Sequence, residues 1–319
     1  MKKLLGLLLA LGLFSACGDD DGFQGEIIPP RLLAEVAPEN DAEILEYLST
    51  HFYNYEDFQE PIAPDFDFKI RIDTIAGDNA DKTPLSEQVS SQVIRVNSFE
   101  FGLSEEEEDI PHTLYYLIPK QGVGASPSVA DSIVVRYTGS LLDGTTFDAS
   151  DTGVWFDLAR IQAPLQGARG FTEGAAFFNS GGDPITNPDG TFDVEGFGAG
   201  IMFIPSGLGF FNAAQGLIPA YSPLVFELNV LAMVASDHDQ DGIPSILEDL
   251  NGNGYLYDDN TDEEEEEQLR IQPAVDFLDL DDDNDGIRTS EEISIDSAGN
   301  ITFPDSDGDG TPDYRDPDS

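Results

Sequence analysis

Three stretches near the end of the chain carry carboxylates at every second position, followed by glycine. Carboxylates at loop positions one, three and five can converge on a hard cation, glycine at position six permits the sharp turn, and an acidic residue at position twelve can close the shell. The residues predicted as calcium ligands are Asp237, Asp239, Asp241 and Glu248 in the first loop, Asp281, Asp283, Asp285 and Glu292 in the second, and Asp305, Asp307, Asp309, Asp313 and Asp316 in the third.

The alternative for this segment is a disordered acidic tail, because the run from Asp262 to Glu267 is typical of solvated chain. The repeated D-x-D-x-D-G order favours ordered loops. It resembles thrombospondin type 3 repeats and the calcium-binding stalks of bacterial surface proteins, and the resemblance implies calcium as a structural ion. A partial fourth match runs from Asp249 to Gly254. His238, between two predicted ligands, is predicted to point away from the ion.

A second group of chemistry-bearing residues lies between Asp131 and Ser150. In the run IVVRY, β-branched side chains alternate with a period of two, which predicts a strand with one buried face and Arg136 on its solvent face. Asp143-Gly144, between apolar residues, predicts a tight hairpin. The strand that follows the hairpin delivers Phe147 and Asp148, an aromatic ring next to a carboxylate.

This stretch resembles the central signature of the FKBP-type peptidyl-prolyl cis-trans isomerases, V-x-Y-x-G-x-L-x-D-G-x-x-F-D-x-S, without a gap. Residues 170–174 resemble the family's G-W-x-E-G segment, residues 216–219 its G-x-I-P, and residues 223–231 its closing strand. The resemblance covers about residues 112–233 and implies an α+β fold. In that fold an antiparallel half-barrel sheet wraps on one short helix.

The resemblance also implies an aromatic pocket that holds a proline ring, with Tyr137 and Asp148 as its polar rim. The implied pocket residues are Tyr137, Phe147, Asp148, Phe156, Phe171, Phe210, Leu217, Ile218 and Phe226. Three positions depart from the family pattern, since Phe171 replaces a tryptophan, Phe210 a tyrosine and Phe211 a glycine. The shortened segment after Ser150 also lacks an arginine that the family often pairs with the aspartate. No cofactor is implied for the isomerisation.

The first residues have the pattern of an export signal. Two lysines precede an apolar run, 4–14, that is too short to span a membrane, and Ser15 and Ala16 follow. The single cysteine, Cys17, comes next, so F-S-A-C resembles a bacterial lipobox, at which the cysteine is lipidated. We expect a protein of the cell envelope, lipid-anchored to the outer membrane and facing either the periplasm or the cell surface. The alternative is an ordinary secretory signal.

The charge of the chain limits its partners. It has 63 acidic and 14 basic residues, a net charge of −49. Such a charge repels the phosphates of nucleic acids and anionic membrane surfaces. We therefore expect no nucleic acid partner, and we expect cations to bind.

These features divide the chain into five predicted segments. In the N-terminal extension we expect a helix from Asn40, with Asn40 or Asp41 as its cap, and a solvated acidic linker at 105–109. The segments are a signal peptide at 1–16, a tether at 17–35, an N-terminal extension of unknown fold at 36–109, an isomerase-like domain at 110–235 with an insertion near 179–199, and a loop-rich calcium-binding tail at 236–319.

The function predicted from the sequence is prolyl isomerisation of proline-containing exported polypeptides. The alternative is a non-catalytic module of the cell surface, stabilised by calcium, that binds prolyl peptides or has a structural role. The three departures in the pocket favour that alternative.

Overall fold

The computed structural model describes residues 29–63, 65–165, 168–189, 192–269 and 274–319, without the side chains of residues 265, 267 and 269. The predicted signal peptide, Cys17 and most of the predicted tether lie outside these ranges. Residues Arg31–Ser319 form one compact unit. Among the described helices, none is long and apolar enough to cross a membrane.

Short helices and many strands make up this unit. The helices are α1 (Leu33–Thr50), α2 (Leu158–Ile161), α3 (Arg169–Ala175), α4 (Glu263–Leu269) and α5 (Thr289–Glu292). The strands are β1 (His51–Tyr53), β2 (Ile72–Thr74), β3 (Ser90–Val96), β4 (Ile110–Lys120), β5 (Ser132–Leu141), β6 (Thr146–Asp157), β7 (Ile185–Thr186), β8 (Phe192–Asp193), β9 (Gly198–Ile204), β10 (Leu224–Val234), β11 (Ser294–Ile295) and β12 (Ile301–Thr302).

The central feature is a six-stranded antiparallel sheet in the order β3-β4-β9-β10-β5-β6. The predicted α+β class, with an antiparallel sheet and few helices, is confirmed. Strands β5 and β6 are joined at the Asp143-Gly144 turn, where Gly144 has φ of +84°, as the hairpin signal predicts. The edge strand β3 comes from the predicted N-terminal extension, so the predicted boundary at residue 110 runs through one continuous sheet.

One face of the sheet packs on α2 and α3. Ile133 and Val135 of β5 and Leu228 of β10 are fully buried there together with Ala175 of α3. The alternation predicted for β5 therefore places the expected residues in this core. Burying each such side chain contributes about 1.5–3 kcal/mol, so this face is the main link between the strands and the helices under the candidate site.

The opposite face of the sheet is covered as well. Leu48 of α1 and Leu85 of the following segment pack against Phe203 of β9 in a second core. Glu227 of β10 accepts a hydrogen bond from the Ile70 backbone N–H at 2.8 Å, and burial raises its pKa. The solvent face expected from the strand pattern is thus a buried face, because the N-terminal extension packs on it.

Helix α1 begins at Leu33, seven residues before the predicted start and within the predicted tether. Pro38 lies inside the helix, where it removes a backbone hydrogen bond. The first turn is held by Glu107, whose carboxylate accepts from the backbone N–H groups of Leu33 at 2.6 Å and Ala34 at 2.9 Å. The acidic run at 105–109 is therefore a helix cap at Glu107, and Asn40 instead accepts from the Ser206 backbone N–H at 2.8 Å.

The predicted insertion near 179–199 contains the hairpin β7–β8. The tail returns to the central unit. Leu256 and Phe277 are each 1% exposed and pack with Ala130 and Ala159 in a third core. The described part of the tail is thus docked beside α2.

Candidate functional site

An open cavity of about 510 Å³ lies between β5, β6 and β10 on one side and α2 and α3 on the other. Its walls are mostly aromatic. The lining residues are Tyr137, Phe147, Asp148, Trp155, Phe156, Asp157, Arg160, Ile161, Ala168, Phe171, Phe210, Ile218 and Phe226.

Five rings of the cavity form a continuous chain of edge-to-face contacts. The centroids are 5.3 Å apart for Tyr137–Phe156, 5.3 Å for Phe156–Phe171, 5.1 Å for Phe171–Phe226 and 5.5 Å for Phe226–Phe147, with interplanar angles of 65–77°. Each such contact contributes about 0.5–1.5 kcal/mol beyond the area it buries. The pocket wall is therefore held in shape before any ligand binds.

The rings of Phe147 and Phe226 can pack directly against β5 because residue 139 is glycine. A Cβ atom at this position would lie 2.5 Å from Phe147 Cε2 and 3.0 Å from Phe226 Cε1. Any side chain at residue 139 would displace both rings. The glycine of the signature is thus part of the pocket rather than of a turn.

Tyr137 and Asp148 form one polar edge of the cavity. The Tyr137 hydroxyl donates to Asp148 Oδ2 at 2.5 Å, and the Ala149 backbone N–H donates to Asp148 Oδ1 at 2.9 Å. Burial, together with the hydrogen bond to Asp148, raises the pKa of Tyr137 to about 12. The hydroxyl is therefore a donor at neutral pH, and it already has an acceptor.

A second polar edge belongs to the start of α2. Asp157 pairs with Arg160 at 3.1 Å and caps the helix by accepting from the Arg160 backbone N–H at 3.1 Å. His238 of the tail lies 3.1 Å from Asp157 Oδ1 through Nε2. Burial opposes ionisation of Asp157, but the hydrogen bonds from His238 and from the Arg160 backbone outweigh it and lower its pKa. A tail residue thus contacts a pocket residue directly.

Eight of the nine pocket residues implied by the resemblance line this one cavity. The exception is Leu217, which is 63% exposed and lies outside the cavity. Residues 215–218 form a tight turn with hydrogen bonds between Gln215 and Ile218 in both directions. Because Ile218 is buried at 5% exposure, the preceding side chain is directed outward. The prediction for Leu217 is corrected accordingly.

Sequence reasoning missed five lining residues: Trp155, Asp157, Arg160, Ile161 and Ala168. The β6 alternation predicts Trp155 outside, and the residue is 54% exposed, yet one side of it borders the cavity. Asp157, Arg160 and Ile161 lie on or beside α2, an element that the sequence pattern did not predict, and Ala168 directly precedes α3. A possible signal was Asp157 three residues before Arg160, the spacing of a helix cap.

Phe211, where the family has glycine, adopts a left-handed backbone with φ of +42°. This conformation costs a non-glycine residue about 1–2 kcal/mol. The ring is 1% exposed and packs against Phe101 at 5.2 Å and Tyr221 at 5.1 Å. Tyr221 in turn accepts from the Arg31 backbone N–H at 3.0 Å. Burial of the Phe211 ring against Phe101 and Tyr221 thus offsets its backbone strain.

The three acidic loops of the tail share one scaffold. In each loop, the first aspartate accepts from the backbone N–H of the glycine at position six, at 3.2, 3.2 and 3.1 Å. These glycines, Gly242, Gly286 and Gly310, have φ of +106°, +93° and +104°, which only glycine adopts readily. The aspartates at positions one, three and five of each loop have carboxylate oxygens within 4.8 Å of one another.

The residue at position nine, predicted as a ligand only for Asp313 of the third loop, supports the backbone of each loop. In all three loops its side chain accepts from the backbone N–H at position two. The acceptors are Ser245 at 3.1 Å, Thr289 at 3.2 Å and Asp313 at 2.6 Å. Asp313 is therefore engaged by Ser306, and among the described residues neither it nor Asp316 joins the group of Asp305, Asp307 and Asp309.

Buried oxygens of the first two loops fit a hard cation. Asp241 Oδ2, Asp283 Oδ2 and Glu292 Oε2 are buried without a hydrogen-bond partner in the described structure. Burial, followed by repulsion from Asp283, raises the pKa of Glu292 to about 7. Oxygen donors of this kind suit calcium, which accepts 6–8 oxygen ligands. The third loop is exposed and lacks this signature.

Two parts of the chain resemble known proteins. A family model described as BamM C-terminal matches residues 238–304. The chain is 29% identical over 170 residues to the FKBP-type peptidyl-prolyl cis-trans isomerase FkpA of Aeromonas hydrophila, covering 52% of this chain and 54% of that protein. It is 31% identical over 129 residues to a probable FKBP-type peptidyl-prolyl cis-trans isomerase FkpA of Neisseria meningitidis, covering 39% of each. The chain thus spans about half the length of these relatives or less.

Among solved structures, FkpA from Escherichia coli matches 38% of this chain and 47% of that chain at 29% identity, with a TM-score of 0.28. The similarity to isomerases rests on the two sequence relatives, from Aeromonas hydrophila and Neisseria meningitidis. Over the aligned residues, this chain is similar to FKBP-type peptidyl-prolyl cis-trans isomerases.

Proposed function

We propose that the aromatic cavity binds proline-containing segments of exported polypeptides and catalyses cis-trans isomerisation of the X-Pro bond. The observation that carries this proposal is the single cavity of about 510 Å³ that eight of the implied pocket residues line. Its aromatic walls suit the compact, apolar ring of proline. Kinship to FKBP-type isomerases over about half of the chain supports the same conclusion.

Rotation about the X-Pro bond is slow because twisting destroys amide resonance, at a barrier of about 18–20 kcal/mol. The planar ground state is more charge-separated than the twisted transition state. An apolar wall that takes the amide out of water therefore favours the transition state, and no covalent step is needed. The ring chain from Tyr137 to Phe147 supplies such a wall.

The two polar edges would orient the peptide backbone. Asp148 and Asp157 can accept from peptide N–H groups, and Arg160 and Tyr137 can donate to peptide carbonyls. Because Tyr137 already donates to Asp148, a peptide carbonyl must compete with that contact. Orientation by weak, exchangeable contacts suits a substrate that enters and leaves as an extended chain.

A protease-coupled assay on a proline-containing tetrapeptide tests the proposal. The purified protein is expected to accelerate the cis-to-trans phase in proportion to its concentration. Catalysis would be contradicted if the cis-to-trans rate equals the uncatalysed rate while the prolyl peptide still binds to the protein.

That outcome is the second candidate function, binding of prolyl peptides without turnover. Phe210 is the observation that favours it, since it borders the cavity and has no hydroxyl where the family has a tyrosine. One donor to the peptide is therefore missing. Fluorescence titration with a labelled prolyl peptide, beside the kinetic assay, separates the two functions.

For the tail we propose calcium as a structural ion in the acidic loops. The buried, unpartnered oxygens of the first two loops support this. An uncompensated carboxylate costs several kcal/mol when it leaves water, and coordination to a metal removes that cost. Limited proteolysis with calcium and with chelator tests the proposal: calcium is expected to slow cleavage within 236–319, and equal rates would contradict it.

We further propose export to the cell envelope and a lipid anchor at Cys17. The support is the leader pattern of the sequence. Replacement of the cysteine, Cys17→Ser, is expected to release the protein from the membrane fraction without loss of peptide binding. Retention of the variant in membranes would show that the lipid at residue 17 is not the anchor.

A further inference from the structure

One group of carboxylates joins two tail loops that the single-loop pattern treats as separate. Asp239 and Glu248 belong to the first loop, whereas Asp282 stands at position two of the second. Their carboxylate oxygens lie within 4.8 Å of one another. Position two provides no side-chain ligand in the single-loop pattern, so that pattern does not account for the place of Asp282.

Two of these carboxylates are buried, and Asp239 is half-buried. Glu248 and Asp282 are each 1% exposed, and neither oxygen of either residue has a hydrogen-bond partner in the described structure, nor does Asp239 Oδ2. No salt bridge between described residues reaches them.

A buried carboxylate without a partner must take up a proton, pair with a base or bind a metal. Two of them, next to the half-buried Asp239 whose Oδ2 is also buried without a partner, point to a ligand of high positive charge. We propose that Asp239, Glu248 and Asp282 form a divalent-cation site shared by the two loops, with Asp282 as a ligand. The inference rests on the calcium binding proposed for the tail and adds to it a ligand and a link between loops.

The geometry suits calcium. Calcium–oxygen bonds of about 2.3–2.6 Å place opposite ligands roughly 4.6–5.2 Å apart, which matches the spread of at most 4.8 Å among the three carboxylates. A donor set of oxygens alone selects hard cations. The two free oxygens of Glu248 permit bidentate binding, which calcium accepts and which the strict octahedron of magnesium disfavours.

A turn at the start of the second loop explains how one loop serves two sites. Asp281 and Asp283 group with Asp285 in the second loop, and Asp282 stands between them in sequence. The Asn284 backbone N–H donates to the Asp281 carbonyl at 3.1 Å, so residues 282 and 283 form a turn that places the Asp282 carboxylate with Asp239 and Glu248. The Asp282 backbone N–H donates to Thr289 Oγ1 at 3.2 Å, which fixes this orientation. The second loop thus keeps its own carboxylates and contributes Asp282 to the first.

Asp239 belongs to two groups, the shared site and the group it forms with Asp237 and Asp241. A cation in the shared site therefore fixes the first loop and the second loop at once. The structure assigns to this site the role of a cross-link between loops that lie about forty residues apart.

The test is calcium titration calorimetry on the purified whole protein, with the variant Asp282→Asn. The matched control is Glu291→Gln, an exposed acidic residue of the same loop. We expect Asp282→Asn to lose one calcium equivalent, or to weaken one site roughly tenfold or more, while Glu291→Gln behaves as wild type. Asp283→Asn, which removes a ligand of the second loop's own group, is expected to affect a different site.

Thermal unfolding gives a second measurement, and its expected result differs from that of a variant that fails to fold. In chelator, Asp282→Asn is expected to be at least as stable as wild type, since it removes a buried uncompensated group. In calcium, its gain in melting temperature is expected to be smaller. Equal stoichiometry, affinity and calcium-induced gain for Asp282→Asn and Glu291→Gln would overturn the shared site alone. Absence of calcium binding by the wild type would overturn the proposed calcium loops as well.

Discussion

Phe147 shows how one side chain of the pocket depends on another. Its ring packs edge-to-face on Phe226 and stands over Gly139, where no Cβ fits. The ring therefore has one available position, and it borders the cavity there. Any peptide in the cavity would meet a wall that is already ordered.

Replacing Phe147 by alanine is expected to lower kcat/KM for a prolyl tetrapeptide about tenfold or more, because the lost contact and apolar area exceed about 1.4 kcal/mol. The matched control is Phe192→Ala in hairpin β7–β8, whose ring is 66% exposed. A Phe147→Ala enzyme with the kinetics of Phe192→Ala would exclude this cavity as the site of isomerisation.

We expect the contribution of Tyr137 to catalysis to be independent of pH around neutrality. Its pKa is raised above the ordinary value to about 12, so the hydroxyl stays protonated from about pH 6 to pH 9. Its contribution to stability is complete below about pH 10 and is lost as pH rises toward 12. Profiles of kcat/KM for wild type and Tyr137→Phe should therefore run parallel from pH 6 to 9. A wild-type profile that falls toward Tyr137→Phe within this range would contradict the shifted pKa.

The first turn of helix α1 is stabilised by a residue that is far away in sequence. Pro38 interrupts its backbone hydrogen bonding, and its first turn has no side-chain cap of its own. Glu107 supplies the cap across 74 positions. Negative charge at a helix N-terminus is favourable, so the carboxylate stabilises the turn that an isolated peptide would leave frayed.

Glu107→Ala is expected to destabilise the protein by about 1 kcal/mol through loss of this cap, with kcat/KM unchanged. The control is Glu106→Ala, an exposed residue of the same acidic run. Urea unfolding measures the difference. If the two variants have the same free energy of unfolding, Glu107 contributes no cap in solution.

At the scale of the whole molecule, the tail and the pocket share the short helix α2. Ala159 of this helix packs on Leu256 and Phe277 of the tail, and Asp157 at its start contacts His238. Arg160 and Ile161 of the same helix line the cavity. An order–disorder change in the tail would thus alter one wall of the pocket.

Removing calcium is expected to lower kcat/KM several-fold, since a tail that loses its loops no longer supports α2, and adding calcium back should restore it. Kinetics with chelator and with excess calcium, on the same protein, measure the effect. A control with His238→Ala is expected to show reduced activity in calcium and a smaller response to chelator. Identical kinetics under conditions in which proteolysis shows the tail released would contradict the coupling.

The sequence by itself determined the features that depend on near neighbours in the chain. The alternation of β5, the Asp143-Gly144 hairpin and the D-x-D-x-D-G loops all follow from side-chain period, turn conformation and local hydrogen bonds, and all are present. Eight implied pocket residues also meet in one cavity, and for the five outside the gapless signature it was the family resemblance, not a local pattern, that implied their place.

Only the tertiary structure decided which faces are covered and which residues serve a distant partner. Glu227 is half-buried because the N-terminal extension packs on the second face of the sheet. Glu107 caps a helix 74 positions away, and Asp282 joins carboxylates of another loop. Leu217 turns outward because its neighbour Ile218 takes the inner side. None of these contacts leaves a periodic or short-range pattern, because each depends on how separate segments pack together.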